Sequence, residues 1–188
     1  VHWKNCSIES DILILCQSEE GQGSQLQMKV IILDDMAMDF FKATEPYFRY
    51  ASPTITNLAG HLDMPILGYT YVNITGTNFG PIYADIIPSA WYGNNRSKYY
   101  SAKCTKTVAH TRIDCKVAKY NTPADGSNER NQLNWIISIS NQESDSTIFS
   151  PTLGNTTSYA KPKIFGIFNN SRLKTAGGDQ IIFRGQNL

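Results

Sequence analysis

The feature that most constrains this chain is that it repeats itself. Tyr50-Ala51-Ser52-Pro53-Thr54-Ile55 returns as Tyr159-Ala160-Lys161-Pro162-Lys163-Ile164, an offset of 109 residues. The same offset, without a gap, carries Gly68 to Gly177, Val72 to Ile181, Ile74 to Phe183, Gly76 to Gly185, Asn78 to Asn187 and Phe79 to Leu188. Similarity at a fixed period marks one structural unit copied along a polypeptide. The chain then divides into the C-terminal part of a first module (1–50), a complete module (51–161) and the N-terminal part of a third (162–188).

Within the repeat, apolar residues recur with period two rather than 3.6, in short runs bounded by Gly, Pro, Asn and Asp, so the chain reads as all-β. The clearest run sets Leu133, Trp135, Ile137 and Ile139 on one face against Asn134, Ser138 and Ser140, with Ile136 alone breaking the alternation. Leu26, Met28 and Val30 alternate likewise with Gln25, Gln27 and Lys29. Further strands are expected over 12–16, 69–75, 82–92, 99–104, 112–117, 164–168 and 180–184, and Asp125-Gly126 marks a tight turn. Antiparallel sheets buried on one face give this alternation, and about 100 residues is one immunoglobulin-like sandwich.

The repeat also orders the four cysteines. Asn5-Cys6 followed by Ile14-Leu15-Cys16 parallels Lys103-Cys104 followed by Arg112-Ile113-Asp114-Cys115. Of the three possible connectivities it selects Cys6 with Cys16 and Cys104 with Cys115. Neighbouring antiparallel strands bring Cα atoms within reach of a disulfide. The competing reading is four reduced, buried thiols in a cytosolic protein; a zinc site fits less well, since no CxxC occurs and His2, His61 and His110 are not at ligand spacing. Sequons at Asn5, Asn73, Asn95, Asn155 and Asn169 point to the cell surface. With 15 Asn, 16 Ser and 15 Thr, roughly 2.5 sequons arise by chance, so the five present are about a twofold excess. A glycan on Asn73 requires its strand face to point to solvent.

Charge narrows the function. There are 17 basic and 16 acidic residues, net charge +1, and the basic residues are scattered singly, as at Lys29, Lys42, Arg49, Lys103 and Lys116. Phosphate-tracking surfaces need clustered cations, so nucleic acid is excluded as a partner and an anionic membrane surface is disfavoured. The longest apolar stretch, residues 12–16, is far too short to span a bilayer. Val1 opens mid-pattern, so the chain reads as a piece of something longer. No GxSxG, HExxH, P-loop or GxGxxG occurs, and Gly21-x-Gly23 lacks the third glycine, so no enzyme activity and no cofactor are expected. Asp34, Asp35 and Asp39 read as a solvated connection rather than a calcium site, and no metal site is expected.

Pro53-Thr54-Ile55, a variable loop with Gly, then Val72-Asn73-Ile74-Thr75-Gly76-Thr77-Asn78-Phe79-Gly80 resembles the start of an IPT/TIG domain. Pro162-Lys163-Ile164 through Ile181 to Leu188 repeats it. The Gly before Asn marks a backbone position at a bend or close approach. The resemblance implies tandem immunoglobulin-like E-set sandwiches across the whole chain. With the Asn-, Ile-, Tyr- and Ser-rich composition and paired cysteines, it is most similar to the dictyostelid tiger (Tgr) family of transmembrane repeat proteins. That implies a membrane-anchored parent of which this chain is an extracellular segment, a cell-surface receptor in adhesion and allorecognition that binds a protein ligand on an apposed cell by heterophilic pairing. Alternatives are a carbohydrate-binding surface module, with Trp91-Tyr92 or Tyr99-Tyr100 as sugar platforms, and a plexin-like signalling receptor ectodomain. Trp91 and Trp135 are better read as core anchors. The loop 119–130, with Tyr120, Asp125, Glu129 and Arg130, is the candidate partner-binding surface, and His110 is placed at a hairpin tip.

Overall fold

A computed structural model describes residues 4–26, 48–83, 86–93, 100–121, 130–144, 156–168 and 172–188. Among these the secondary structure is all-β, with no helix. Strands β1 (Lys4–Ser10) and β2 (Leu13–Gln17) form an antiparallel hairpin. The middle of the chain supplies β3 (Thr54–Ala59), β4 (Tyr71–Thr77), β5 (Ser89–Gly93), β6 (Tyr100–Val108), β7 (Arg112–Lys116), β8 (Asn134–Ile139) and β9 (Gln142–Glu143). These share one antiparallel sheet in the order β3-β4-β7-β6-β5-β8-β9. A second hairpin, β10 (Lys163–Phe168) with β11 (Ile182–Gln186), follows.

The sheet curls at β6, which changes partners along its length. Its first part, to Lys103, pairs with β5, and from Lys103 onward it pairs with β7. The inward residues of both halves therefore meet in one core: Val72, Ile74, Ile113 and Cys115 from one half, Ala90, Tyr92, Trp135 and Ile137 from the other. Period-two alternation is what places them there, since successive side chains of a strand take opposite faces. Tyr92 stacks on Trp135 with ring centroids 4.5 Å apart, and its hydroxyl lies 2.6 Å from that of Tyr159. Burial pushes the Tyr92 phenol above its ordinary pKa, against the hydrogen bonds from Tyr159 and Ala118, which oppose the shift. The Trp135 indole N–H donates to Thr157 Oγ1 at 2.6 Å, so the largest buried side chains keep their polar atoms satisfied.

The sequence repeat is a repeat of hydrogen-bond register. In β3–β4, Thr54 faces Thr77, Ile55 faces Gly76, a bulge follows, and Asn57, Leu58 and Ala59 face Thr75, Ile74 and Asn73. In β10–β11 every partner is shifted by 109: Lys163 faces Gln186, Ile164 faces Gly185, the bulge recurs, and Gly166, Ile167 and Phe168 face Arg184, Phe183 and Ile182. Gly68 and Gly177 share positive φ (75° and 78°), as do Asn78 and Asn187 (62° and 54°). Asn tolerates that left-handed region better than most residues. The hairpin carrying Cys6 and Cys16 likewise copies the one carrying Cys104 and Cys115, down to an irregularity before the turn.

A third correspondence closes the pattern. Leu26 and Phe48 exchange backbone hydrogen bonds of 2.9 and 3.1 Å, as Leu133 and Thr157 do at 3.0 Å each way. Tyr50 donates its hydroxyl to the Glu19 carbonyl at 2.8 Å, three residues after Cys16; Tyr159 donates to the Ala118 carbonyl at 2.8 Å, three residues after Cys115. What differs between copies is cover. Val72, Ile74 and Phe79 are buried, whereas Ile181, Phe183 and Leu188 at the same positions are exposed, as are Ile8, Leu13 and Leu15 in the first hairpin.

The strand expected over 82–92 forms only from Ser89, because Pro81 and Pro88 remove ladder donors and leave Ile82 and Ile87 exposed. That expected over 12–16 begins at Leu13, with Ile12 in the turn. Met28, Val30 and the Asp125-Gly126 turn lie outside the described residues.

Candidate recognition surface

Each cystine joins residues directly opposite one another on adjacent strands: Cys6 with Cys16, Cα atoms 4.1 Å apart, and Cys104 with Cys115, 4.0 Å apart. The second lies in the core; the first braces a hairpin that is exposed on both faces. An isolated two-stranded hairpin is marginal in water, and closing a loop of this length contributes about 2.7 kcal/mol in the chain-entropy model, so the bridge is what holds β1 to β2.

Of the sequons, Asn5 and Asn73 are described; Asn95, Asn155 and Asn169 lie outside the described residues. Asn5 is exposed at φ 58°. Asn73 points outward from β4, but its Nδ2 donates to Asp114 Oδ1 at 2.8 Å. Arg112 Nε donates to the same carboxylate at 3.0 Å. Desolvation raises the Asp114 pKa, and the hydrogen bonds from Asn73 and Arg112 with the arginine charge outweigh it, holding the carboxyl below its ordinary value.

In the candidate contact loop, Tyr120 is turned inward and 7% exposed, its ring 5.1 Å from that of Tyr159 and covered by the Arg130 guanidinium at 4.6 Å. Arg130 is half-buried and also donates to the Ala160 carbonyl at 3.5 Å. Asp125 and Glu129 lie outside the described residues. Trp135 is a core anchor, whereas Trp91 is half-buried on the opposite face of β5, opposite Ile136. Tyr92 is buried, and Asp34, Asp35, Asp39 and Tyr99 lie outside the described residues.

His110 sits in the turn between β6 and β7, and its Nε2 lies 2.9 Å from Glu20 Oε2. This contact belongs to a polar joint between the end of the first copy and the middle unit. Gln22 Nε2 donates to Ser140 Oγ at 3.0 Å, Gln142 Nε2 donates to the Tyr50 carbonyl at 2.7 Å, and the Lys106 ammonium donates to Gln22 Oε1 and, at 3.1 Å, to the Pro81 carbonyl. Burial depresses the Lys106 pKa. Gly80, at φ 74°, leaves the space that Gln22 fills.

The outer face of the sheet holds a row that scattered sequence positions do not announce. Tyr71 lies opposite Lys116, and Lys116 opposite Lys103, so aromatic, cation and cation stand side by side across β4, β7 and β6. Directly opposed like charges cost roughly 0.2–1 kcal/mol. Lys116 Nζ lies 5.2 Å from the centre of the Tyr69 ring. Tyr69 is 76% exposed and holds φ at 68°, where a bulky side chain costs about 1–3 kcal/mol. Among the described residues neither lysine is in an ion pair with a carboxylate.

No protein-family model matches the chain, and no curated protein matches it.

Proposed function

We propose that the chain is an extracellular segment of a cell-surface adhesion and allorecognition receptor, built of tandem immunoglobulin-like E-set (IPT/TIG) modules of the kind the tiger family carries. The modules run over 1–50, 51–161 and 162–188, and recognition is heterophilic, with a protein on an apposed cell. The observation that carries this reading is the 109-residue recurrence of ladder register, bulge and positive-φ positions between β3–β4 and β10–β11. Solenoid-like or beaded repeats present surface rather than chemistry, and opposed cystines belong to oxidising compartments. The polar joint around Gln22 and Lys106 fixes the angle at which neighbouring modules present their faces.

Beads coated with the chain test the reading directly. They are expected to adhere to living cells of the organism that makes it and to be displaced by the soluble chain; failure of both would refute adhesion. Mass spectrometry of native material should find both cystines and at least one occupied sequon, and free thiols with bare asparagines would remove the extracellular assignment.

A further inference from the structure

The repeat separates what the scaffold needs from what one copy adds. At the positions of Tyr69 and Tyr71 the next copy has Gly178, with φ 87°, and Gln180. The counterparts of Lys103 and Lys116 in the first hairpin are Asn5 and Gln17, and an irregularity at Asn5, absent at Lys103, puts Lys4 opposite Gln17 there. The β10–β11 ladder keeps the β3–β4 register without either tyrosine, and the Cys6–Cys16 hairpin closes without a pair of opposed lysines, so neither feature is required for these hairpins to form. A bulky ring in a left-handed backbone position and two opposed ammonium groups both work against stability, and both are kept on one exposed patch of one copy. Strain and like-charge pairing retained together at the surface are the mark of a site that binds.

We propose that Tyr69, Tyr71, Lys103 and Lys116 form the contact surface for a partner protein that presents carboxylates beside an apolar side chain. The inference deepens the adhesion reading and rests on it for the existence of a partner. Asp114, the carboxylate on the next row of that face, already accepts from Asn73 and Arg112, so the two ammonium groups are left for a carboxylate from outside. The two phenol rings supply rigid contact area with few rotatable bonds. The occupant is taken as a protein because the adhesion reading supplies one, and the enzyme treatments of the target cells below separate it from an acidic glycan.

The bead assay discriminates. Wild-type beads are expected to adhere, K103E/K116E beads to lose adhesion by about tenfold or more, and K103R/K116R beads to keep it. Adhesion should weaken as ionic strength rises from about 50 to about 300 mM. Tyr69→Gly should weaken adhesion while raising the urea midpoint of unfolding, an opposition that a structural role does not produce. Protease treatment of the target cells should abolish binding, and enzymatic removal of acidic sugars should leave it. Undiminished adhesion of K103E/K116E, with wild-type beads adherent, overturns this surface and leaves adhesion standing. Loss of binding on desugaring, or a lowered urea midpoint for Tyr69→Gly, also overturns it. Wild-type beads that never adhere overturn the adhesion reading, and this inference with it.

Discussion

Replacing Gly76 by alanine tests whether close packing, rather than backbone freedom, fixes the glycine of the Gly-x-Asn segment. A Cβ built on Gly76 would stand 2.0 Å from the Thr54 carbonyl oxygen and 2.5 Å from the Phe79 ring. The oxygen is backbone and Phe79 is fully buried, so neither can step aside cheaply. To reach an ordinary contact, β3 must separate from β4 by about 1 Å next to its bulge, which breaks one or two ladder hydrogen bonds worth about 1 kcal/mol each. Overpacking against Phe79 adds about 1–3 kcal/mol. The expected cost is about 3–4 kcal/mol, and with a urea m-value of roughly 1.5 kcal/mol/M the midpoint should fall by about 2–3 M. Fluorescence of Trp135, buried in the core, reports the transition. Gly185→Ala is the matched control. Its Cβ would stand 2.3 Å from the Lys163 carbonyl, the same clash, but the surrounding strands are exposed and the Trp135 transition should not move. A Gly76→Ala shift under about 0.5 M, or an equal shift in both variants, would refute the reasoning.

The two cystines should separate in the same assay: C104A/C115A should lower the middle unit's stability by about 3 kcal/mol or more, while C6A/C16A should leave the Trp135 transition in place and raise hydrogen exchange in β1 and β2. Because the Asp114 pKa is depressed in the fold, the stability it contributes is present above the unfolded carboxyl value of about 3.9 and lost as pH falls through the folded value. Asp114→Asn should therefore flatten the acid side of the stability profile, modestly, since solvent screens the pair; an unchanged profile would discount the Asn73 and Arg112 contacts. Glycopeptide mapping should find Asn73 bare, its amide being held by Asp114 between two strand neighbours, and a glycan there would also cover the Tyr71 row. Gln22→Ala should loosen the joint, read as a broader distance distribution between spin labels on the first hairpin and the middle unit; an unaltered distribution would show that Gln22 does not hold it.

Much of this fold was legible because its elements are local and repeated. Alternation at Leu133, Trp135, Ile137 and Ile139 predicts their common inward face, and all four are buried. The conspicuous glycine at 76 and asparagine at 78 turn out to serve different ends, one a close approach of chains and the other a positive φ. Pairings between distant strands were not legible. Lys103 and Lys116 read as isolated cations along the chain, and only the register of β6 against β7 makes them neighbours. Tyr120 reads as a loop residue because its neighbours are polar, yet Tyr159, 39 positions on, draws it inward. The backbone strain at Tyr69 carries no sequence signal until Gly178 is set beside it at the same offset.

Two copies within one chain stand to each other as relatives do elsewhere, and they share one solvent. Positions alike in both copies (Gly76 and Gly185, Asn78 and Asn187, Tyr50 and Tyr159) are those where backbone geometry or a hydroxyl bonded to a backbone carbonyl restricts the choice. Positions that differ and are exposed are free to serve recognition. Four side chains make a small patch, well below the area of a standard stable interface, so a single contact of this kind is weak. Weak contacts suffice at a cell surface, where many copies engage together and effective concentration replaces affinity. Under the proposed adhesion function, a stabilising change such as Tyr69→Gly would be selected against, because each copy's small loss of binding would be multiplied across every engaged pair.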